Sequence, residues 1–338
     1  MSGMNALADP ALMPTGRTMR AALLTGTGGP EVVRIGEAPV PAQLHSELLV
    51  RVAGAGVNPI DAKTRAGGGA AGAIPSFPAT IGNEFSGVVA RTSHELAEFQ
   101  PGDEVYGMVL YPRYSGAWAE YVSTPALCVA RKPESLDLVE AGAVPLAALT
   151  AWAAVIDAGR VRSGCRVLVH AGAGGVGHLA VQLAHYYGAH VIATASAANR
   201  DWLLELGADE AVDYRAQRFE DAVTEPVDLV VDLVGNVRDD TGSRSLRVLR
   251  DGGTIVNVPT GSWPTMLEEA AAEDRGIVAS TLKLQPDGRI LETIAQLFDQ
   301  GALRTRIERV FPLAEAGTAQ ALVEAGHVRG KVVIDVRA

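Results

Sequence analysis

Glycines at 172, 174 and 177 follow directly on the apolar run Val167-Leu168-Val169 and open a helical pattern over 176–187. At G-x-G-x-x-G spacing each glycine has its own task. The first permits a tight turn out of the strand, the second lets the backbone approach a pyrophosphate, and the third lets the helix pack closely on the strand. The helix start adds unbonded N–H groups, at Gly175 and Val176, and the positive end of its dipole, which together make an anion site. A strand before the loop, a helix after it and a second strand at His190–Ala195 complete the setting a dinucleotide needs.

The type of dinucleotide is read from the end of that second strand. An NAD site places Asp or Glu about 20 residues beyond the loop, on the ribose 2′-OH. Between Ala189 and Arg200 there is no acidic residue, and the strand runs out through Thr194-Ala195-Ser196-Ala197-Ala198-Asn199-Arg200. The hydroxyl of Ser196 and the guanidinium of Arg200 suit a 2′-phosphate, which a carboxylate would repel. The alternative is that both only cap and flank the next helix. NADPH is the expected cofactor.

The elements that must position this loop fall into two textures. Before residue 145 short β-rich runs are cut by Gly and Pro: Arg20–Leu24, Val32–Ile35, Glu47–Ala55, Gly87–Ala90, Glu104–Val109 and Ala117–Ser123. Such spacing predicts a compact, partly open β-barrel over 18–145. Over 146–283 helices alternate with fully apolar strands, Arg166–His170, His190–Ala195, Leu229–Leu233, Thr254–Val258 and Ile277–Thr281. Near-continuous Val/Ile/Leu strands of this kind imply a doubly wound parallel sheet buried on both faces, an α/β arrangement. Residues 284–338 offer a helix (Gly288–Gln300), a strand near Arg306–Pro312, a helix (Leu313–Ala325) and a strand, Lys331–Val336, which would return to the first domain. Residues 1–17 read as a flexible leader.

The bulk numbers exclude several classes. A chain of 338 residues is comfortable for two domains, and its formal charge of −10 with no basic cluster argues against nucleic acid or an anionic membrane as partner. The two cysteines, Cys128 and Cys165, have no C-x-x-C between them, so neither a disulfide framework nor a cysteine-rich zinc site is available; both are expected buried and inert. The uncharged stretch Ala141–Ile156 is shorter than the ~20 residues of a membrane span and carries Pro145, so it reads as a buried helix. No secretory pattern is visible, and a cytoplasmic protein acting on a small molecule is expected.

Several further segments, in order, resemble the medium-chain dehydrogenase/reductase superfamily, most closely its zinc-independent quinone oxidoreductase branch. They are Val57-Asn58-Pro59-Ile60-Asp61, Ile81-Gly82-Asn83-Glu84-Phe85-Ser86-Gly87, Pro101-Gly102-Asp103-Glu104-Val105, Pro145-Leu146-Ala147-Ala148-Leu149-Thr150-Ala151-Trp152, Leu206-Gly207-Ala208-Asp209 and Arg329-Gly330-Lys331-Val332-Val333. The resemblance covers roughly 18–338 and implies a GroES-like β-barrel domain beside a Rossmann domain. It places Thr150 near the nicotinamide and Tyr214 beside the adenosine phosphate. With the rule that ligands sit beyond the C-terminal ends of parallel strands, it also singles out Val234, Gly235, Asn236, Pro259 and Thr260. For Asn236 and Thr260 ordinary loop capping is the alternative.

The departures narrow the chemistry. The zinc alcohol dehydrogenases of the family carry Cys near the position of Asn58 and His near that of Asn83, and a four-cysteine lobe that is missing here. Catalytic zinc wants three N, S or O ligands and an open position, so no metal is expected. Without that Lewis acid, the reaction expected is hydride addition to an electron-poor double bond, a quinone or an α,β-unsaturated carbonyl. Asn58, whose loop stands where relatives hold zinc, is the candidate donor to the developing oxyanion. Asp61 is expected to order that loop. Tyr111 and Tyr114 are candidates to line the pocket or donate a proton, with packing on the barrel as the alternative. Lys63 and Arg65 could meet a polar substrate or be solvated charges, and His170 reads as a packed strand-end residue. A zinc-free reductase of simple carbonyls, or a nucleotide-binding protein with little turnover, stays open. A homodimer is expected, because the Ile277–Thr281 strand would otherwise be an exposed sheet edge.

Overall fold

A computed structural model describes residues 16–44, 46–93, 97–110, 116–237 and 239–338. The expected leader, apart from residues 16 and 17, lies outside the described residues, as do Tyr111 and Tyr114. The chain forms two compact units: 1–146 with 285–301 and 306–338, and 147–284 with 302–305.

The first unit is β-rich. Strands β1 (Thr18–Leu24), β2 (Val33–Pro39), β3 (Glu47–Val57), β4 (Ala79–Thr80), β5 (Glu84–Arg91), β6 (Glu104–Met108), β7 (Tyr121–Pro125) and β8 (Val129–Arg131) come before residue 146. One short helix, α1 (Pro59–Arg65), follows β3, and Pro59 suits its first position because the missing N–H there has no partner to lose. A small sheet runs β2-β1-β4, and β3, β5, β6 and β8 are neighbours in a larger one, with β7 paired to β3. Leu48, Val50, Val52, Phe85, Val89, Val105 and Val122 alternate inward along these strands and, with Trp118 from the stretch before β7, form the core. The strand expected from Ala117 starts only at Tyr121. Trp118 and Glu120 instead exchange backbone hydrogen bonds with Ala22 and Arg20 of β1, so this stretch ties the two sheets together.

The stretch read as one buried helix over 141–156 is buried but divided. A 3₁₀ turn, Glu140–Ala143, precedes α2 (Pro145–Trp152), and a π-helical stretch, Ala153–Ala158, follows it. Pro145 starts a helix rather than interrupting one.

The second unit contains β9 (Arg166–Val169), α3 (Gly177–Tyr186), β10 (His190–Ala195), β11 (Glu210–Asp213), β12 (Val227–Asp232), β13 (Leu249–Asn257) and β14 (Val278–Thr281). All six strands are parallel, in the order β11-β10-β9-β12-β13-β14. The order reverses direction beside β9, so the loop after β9 stands at the switch point where such sheets hold ligands. Val167, Leu168, Val169, Val191, Ile192, Ala193, Val230 and Val231 are fully buried, as a sheet covered on both faces requires.

Two strands of the final segment, β15 (Ile307–Pro312) and β16 (Lys331–Asp335), rejoin the first unit. They extend its larger sheet to β15-β16-β3-β5-β6-β8, with β16 antiparallel to β3. Cys128 is buried and Cys165 only half-buried; both are free thiols, so the expectation of burial holds for the first alone.

Candidate active site

In the second unit the loop after β9 divides the work among its glycines. A Cβ on Gly172 would come within 2.9 Å of the Ala193 methyl, and one on Gly177 within 2.8 Å of the Gly172 Cα, so both are held by close packing. A Cβ on Gly174 would meet only the Ala171 carbonyl, at 3.2 Å, and otherwise open space, the cradle into which a bulky anion fits. Among the described residues the N–H groups of Gly175 and Val176 have no backbone acceptor. This donor set and this space suit a diphosphate.

Ala171 enters the loop at φ 49°, a left-handed conformation that costs a non-glycine residue about 1 kcal/mol or more. Its N–H is tied down by the Thr194 hydroxyl at 3.2 Å. The fully buried His170 joins the same network, with Nδ1 3.2 Å from Thr194 Oγ1 and Nε2 2.9 Å from Ser245 Oγ. Ser245 gives its proton to the Thr241 carbonyl, so Nε2–H donates and Nδ1 accepts. Burial holds the imidazole pKa down at about 4, and the ring stays neutral. His170 is therefore a structural prop, as a strand-end packing residue should be.

At the C-terminal end of β10, Ser196 is half-buried and its Oγ accepts from Asn199 Nδ2 at 3.2 Å. Arg200 is exposed and makes no ion pair among the described residues. Tyr214 is brought to the same place, its N–H donating to the Ala195 carbonyl at 3.2 Å. Its ring is half-exposed under the Arg215 guanidinium, 5.6 Å from the ring centroid, a cation that the sequence reasoning missed. Ser196 and Arg200 thus follow β10 and Tyr214 and Arg215 follow its neighbour β11, with no carboxylate between Ala189 and Arg200.

After β12 the turn is organised by buried Asp232, whose Oδ1 accepts from Val234 N at 2.9 Å and Gly235 N at 2.8 Å. Gly235 has φ 71°, and a Cβ there would collide with Ser262. Asn236 spends its amide within the protein, giving a 2.6 Å hydrogen bond to Ser243 Oγ and accepting from Ser243 N at 3.1 Å. Its capping alternative is thus realised, with one amide N–H left. Pro259 accepts from Ser262 N in the turn that carries Thr260. Thr150 lies buried on α2.

The first unit gathers a second constellation around α1. Asn58 is the buried residue that opens α1. Its Nδ2 donates to Glu84 Oε1 at 2.7 Å, and its Oδ1 accepts from the Lys331 ammonium. Lys331 Nζ also lies 2.9 Å from Glu84 Oε1, so a buried ion pair stands directly behind Asn58. Glu84 Oε2 accepts from Leu146 N at 2.6 Å. Gly56 is what admits this carboxylate, since a Cβ there would overlap it. Asp61 bonds across the turn: Oδ2 accepts from Asn58 N at 2.7 Å and Oδ1 from Asn83 Nδ2 at 2.6 Å. Burial raises its pKa to about 7 against those lowering hydrogen bonds. One Asn58 amide N–H remains for another acceptor.

Two neighbouring charges are placed differently. Arg65 is buried and spread over the Gly28 carbonyl, Gln320 and Glu324, the last at 2.7 Å, which removes it as a substrate contact. Lys63 is exposed at the surface. In the sequence Glu84 and Lys331 stand out only as members of two separate motif segments. The available signal was a lysine directly before the apolar run Val332-Val333-Ile334, which can be buried only against an anion.

This donor set does not fit zinc. Among the described residues no group of three or more His, Cys, Asp or Glu could hold a metal ion. The cation beside Glu84 and Asn58 is the protein's own ammonium.

Comparison with known proteins agrees with this architecture. Residues 45–134 match the model of the alcohol dehydrogenase GroES-like domain, and 206–334 that of the zinc-binding dehydrogenase family. The mitochondrial NAD(P)H oxidoreductase RTN4IP1 of Mus musculus is 32% identical, over 94% of this chain and 89% of its own. The chloroplastic NADPH-dependent alkenal/one oxidoreductase of Arabidopsis thaliana is 31% identical, over 98% and 83%. The solved structure of the quinone oxidoreductase from Coxiella burnetii superposes with a TM-score of 0.89 at 38% identity, covering 95% of this chain and all (100%) of that one.

Proposed function

The chain belongs to the medium-chain dehydrogenase/reductase superfamily of NAD(P)H-dependent oxidoreductases, and on that premise we propose that it moves hydride from NADPH to a quinone or an α,β-unsaturated carbonyl without zinc. The observation that carries this reading is the buried Asn58–Lys331–Glu84 cluster, in which an ammonium fills the place beside the oxygen ligands that a metal would need. The names of the Arabidopsis and Coxiella relatives support the acceptor class.

Bound NADPH supplies the hydride; the chain's residues bind, orient and polarise. Gly174 leaves room for the diphosphate, Gly172 and Gly177 let the loop and helix pack closely on the strand, and Gly175 and Val176 give the diphosphate N–H donors. Ser196, Arg200, Tyr214 and Arg215 take the 2′-phosphate, where cations are favourable and an acidic side chain would be repelled. The free N–H of Asn58 donates to the acceptor oxygen as charge develops on it, and Lys331, bonded to the same amide, strengthens that donor. Asp61 fixes the Asn58 backbone. Tyr111 or Tyr114 donates a proton to the enolate and is reprotonated from solvent. The active form is a homodimer paired along β14, one of the two edge strands of the parallel sheet, where Val278 is exposed.

Stopped-flow oxidation of NADPH against a panel of small quinones and enones tests the reading. Saturable turnover with members of both classes is expected, and saturable binding without oxidation by any of them refutes it. Asn58→Ala should lower turnover about tenfold or more and leave NADPH affinity nearly unchanged.

A further inference from the structure

His178, in the first turn of α3, has no role in the reaction as described, yet its ring reaches back into the glycine loop. Its Nδ1 lies 2.9 Å from the Gly174 carbonyl, which also accepts from the His178 backbone N–H at 3.0 Å. A carbonyl only accepts, so Nδ1 carries the proton. Nε2 then accepts from the Thr305 hydroxyl at 3.2 Å. The ring is further held by stacking on Trp202, with centroids 5.9 Å apart and planes inclined by 23°. Thr305 is itself fixed. Its neighbour Arg304 exchanges two 2.9 Å backbone hydrogen bonds with the Gln182 side chain, one turn further along α3.

The consequence follows from peptide geometry. In a trans peptide the C=O and the next N–H point in opposite directions. Clamping the Gly174 carbonyl toward His178 therefore turns the Gly175 N–H the other way, into the space above the loop. Two successive glycines leave the peptide between them free to flip at little steric cost. A flip would put a carbonyl oxygen where the diphosphate needs a donor. We propose that His178 is a positioning residue for the cofactor: it locks the Gly174–Gly175 peptide in the orientation that presents Gly175 N–H to a diphosphate. This rests on the dinucleotide reading above and adds to it a residue outside the glycine fingerprint.

The test measures dissociation constants of NADPH and of adenosine 2′-monophosphate, which has the 2′-phosphate but no diphosphate. His178→Leu should weaken NADPH about tenfold, the worth of one well-placed hydrogen bond, and leave the monophosphate within about twofold. His178→Asn, which keeps a donor near Nδ1, should restore most of the NADPH affinity. Equal weakening of both ligands, or of neither, overturns the proposal. If His178→Leu does not fold, Thr305→Val takes its place, with a smaller but equally selective loss expected and an unselective one overturning it. Wild-type protein that binds neither NADPH nor NADH refutes the dinucleotide reading itself, a result distinct from any difference between variants.

Discussion

Asp61 ionises against its own burial. Its pKa is about 7 in the fold against 3.8 for a free aspartate, so between those values the folded state holds more protons than the unfolded one. Stability then falls as pH rises from about 4 to about 7 and levels off above it. Asp61→Asn removes that dependence. The stability of the variant relative to wild type should shift in the variant's favour by up to a few kcal/mol across this range, then stay constant. Urea unfolding at pH 5, 6, 7 and 8 reads it directly, and a pH-independent difference would sink the assignment. At this scale the sequence pointed to Asn58 and to the loop-ordering role of Asp61 but not to Lys331. Asn58 and Asp61 share one turn of chain, whereas the lysine that completes the site lies 273 positions away and is brought in only by strand pairing.

Within the strand–loop–helix element, Gly177 and Gly174 should respond differently to the same change. Gly177→Ala forces a methyl against the Ala171 carbonyl and the Gly172 Cα, so it should cost on the order of 2–4 kcal/mol of stability and abolish cofactor binding. Gly174→Ala meets a single atom at 3.2 Å, so the fold should tolerate it, while the methyl intrudes on the diphosphate and weakens NADPH about tenfold or more. Denaturant titration and cofactor titration on both variants separate the two effects; equal stabilities would remove the distinction. Elements of this kind were the most legible part of the chain. Strands buried on both faces announce themselves as unbroken apolar runs, and β9, β10 and β12 lie where those runs lie. Ala117–Glu120 misled because its small and aromatic residues face a core as a strand's would, while its backbone bonds to β1 rather than extending β7. Arg215 was missed for a similar reason. Its contact with Tyr214 depends on where β11 ends, which sequence periodicity sets only loosely.

For the whole molecule, the open side of β14 is the feature that predicts assembly. Light scattering should give twice the chain mass of 35.2 kDa. Val278→Lys, which places a charge on the exposed edge, should shift the protein toward monomer without unfolding it. A wild-type monomer at micromolar concentration would remove the dimer.

The placement of β16 also sets a schedule for synthesis. Residues 147–284 hold nearly all of the parallel-sheet unit and leave the ribosome as one continuous block. The first unit cannot close in that order. β16 inserts between β15 and β3, and Lys331 is the counter-charge for Glu84, 247 positions earlier. At roughly 5–20 residues per second, Glu84 and Asn58 wait for on the order of tens of seconds before their cation arrives. Throughout that interval the growing chain carries one finished unit and one unsealed β-sheet with an uncompensated acid, which makes the nascent polypeptide, rather than the mature enzyme, the form most exposed to chaperones and proteases.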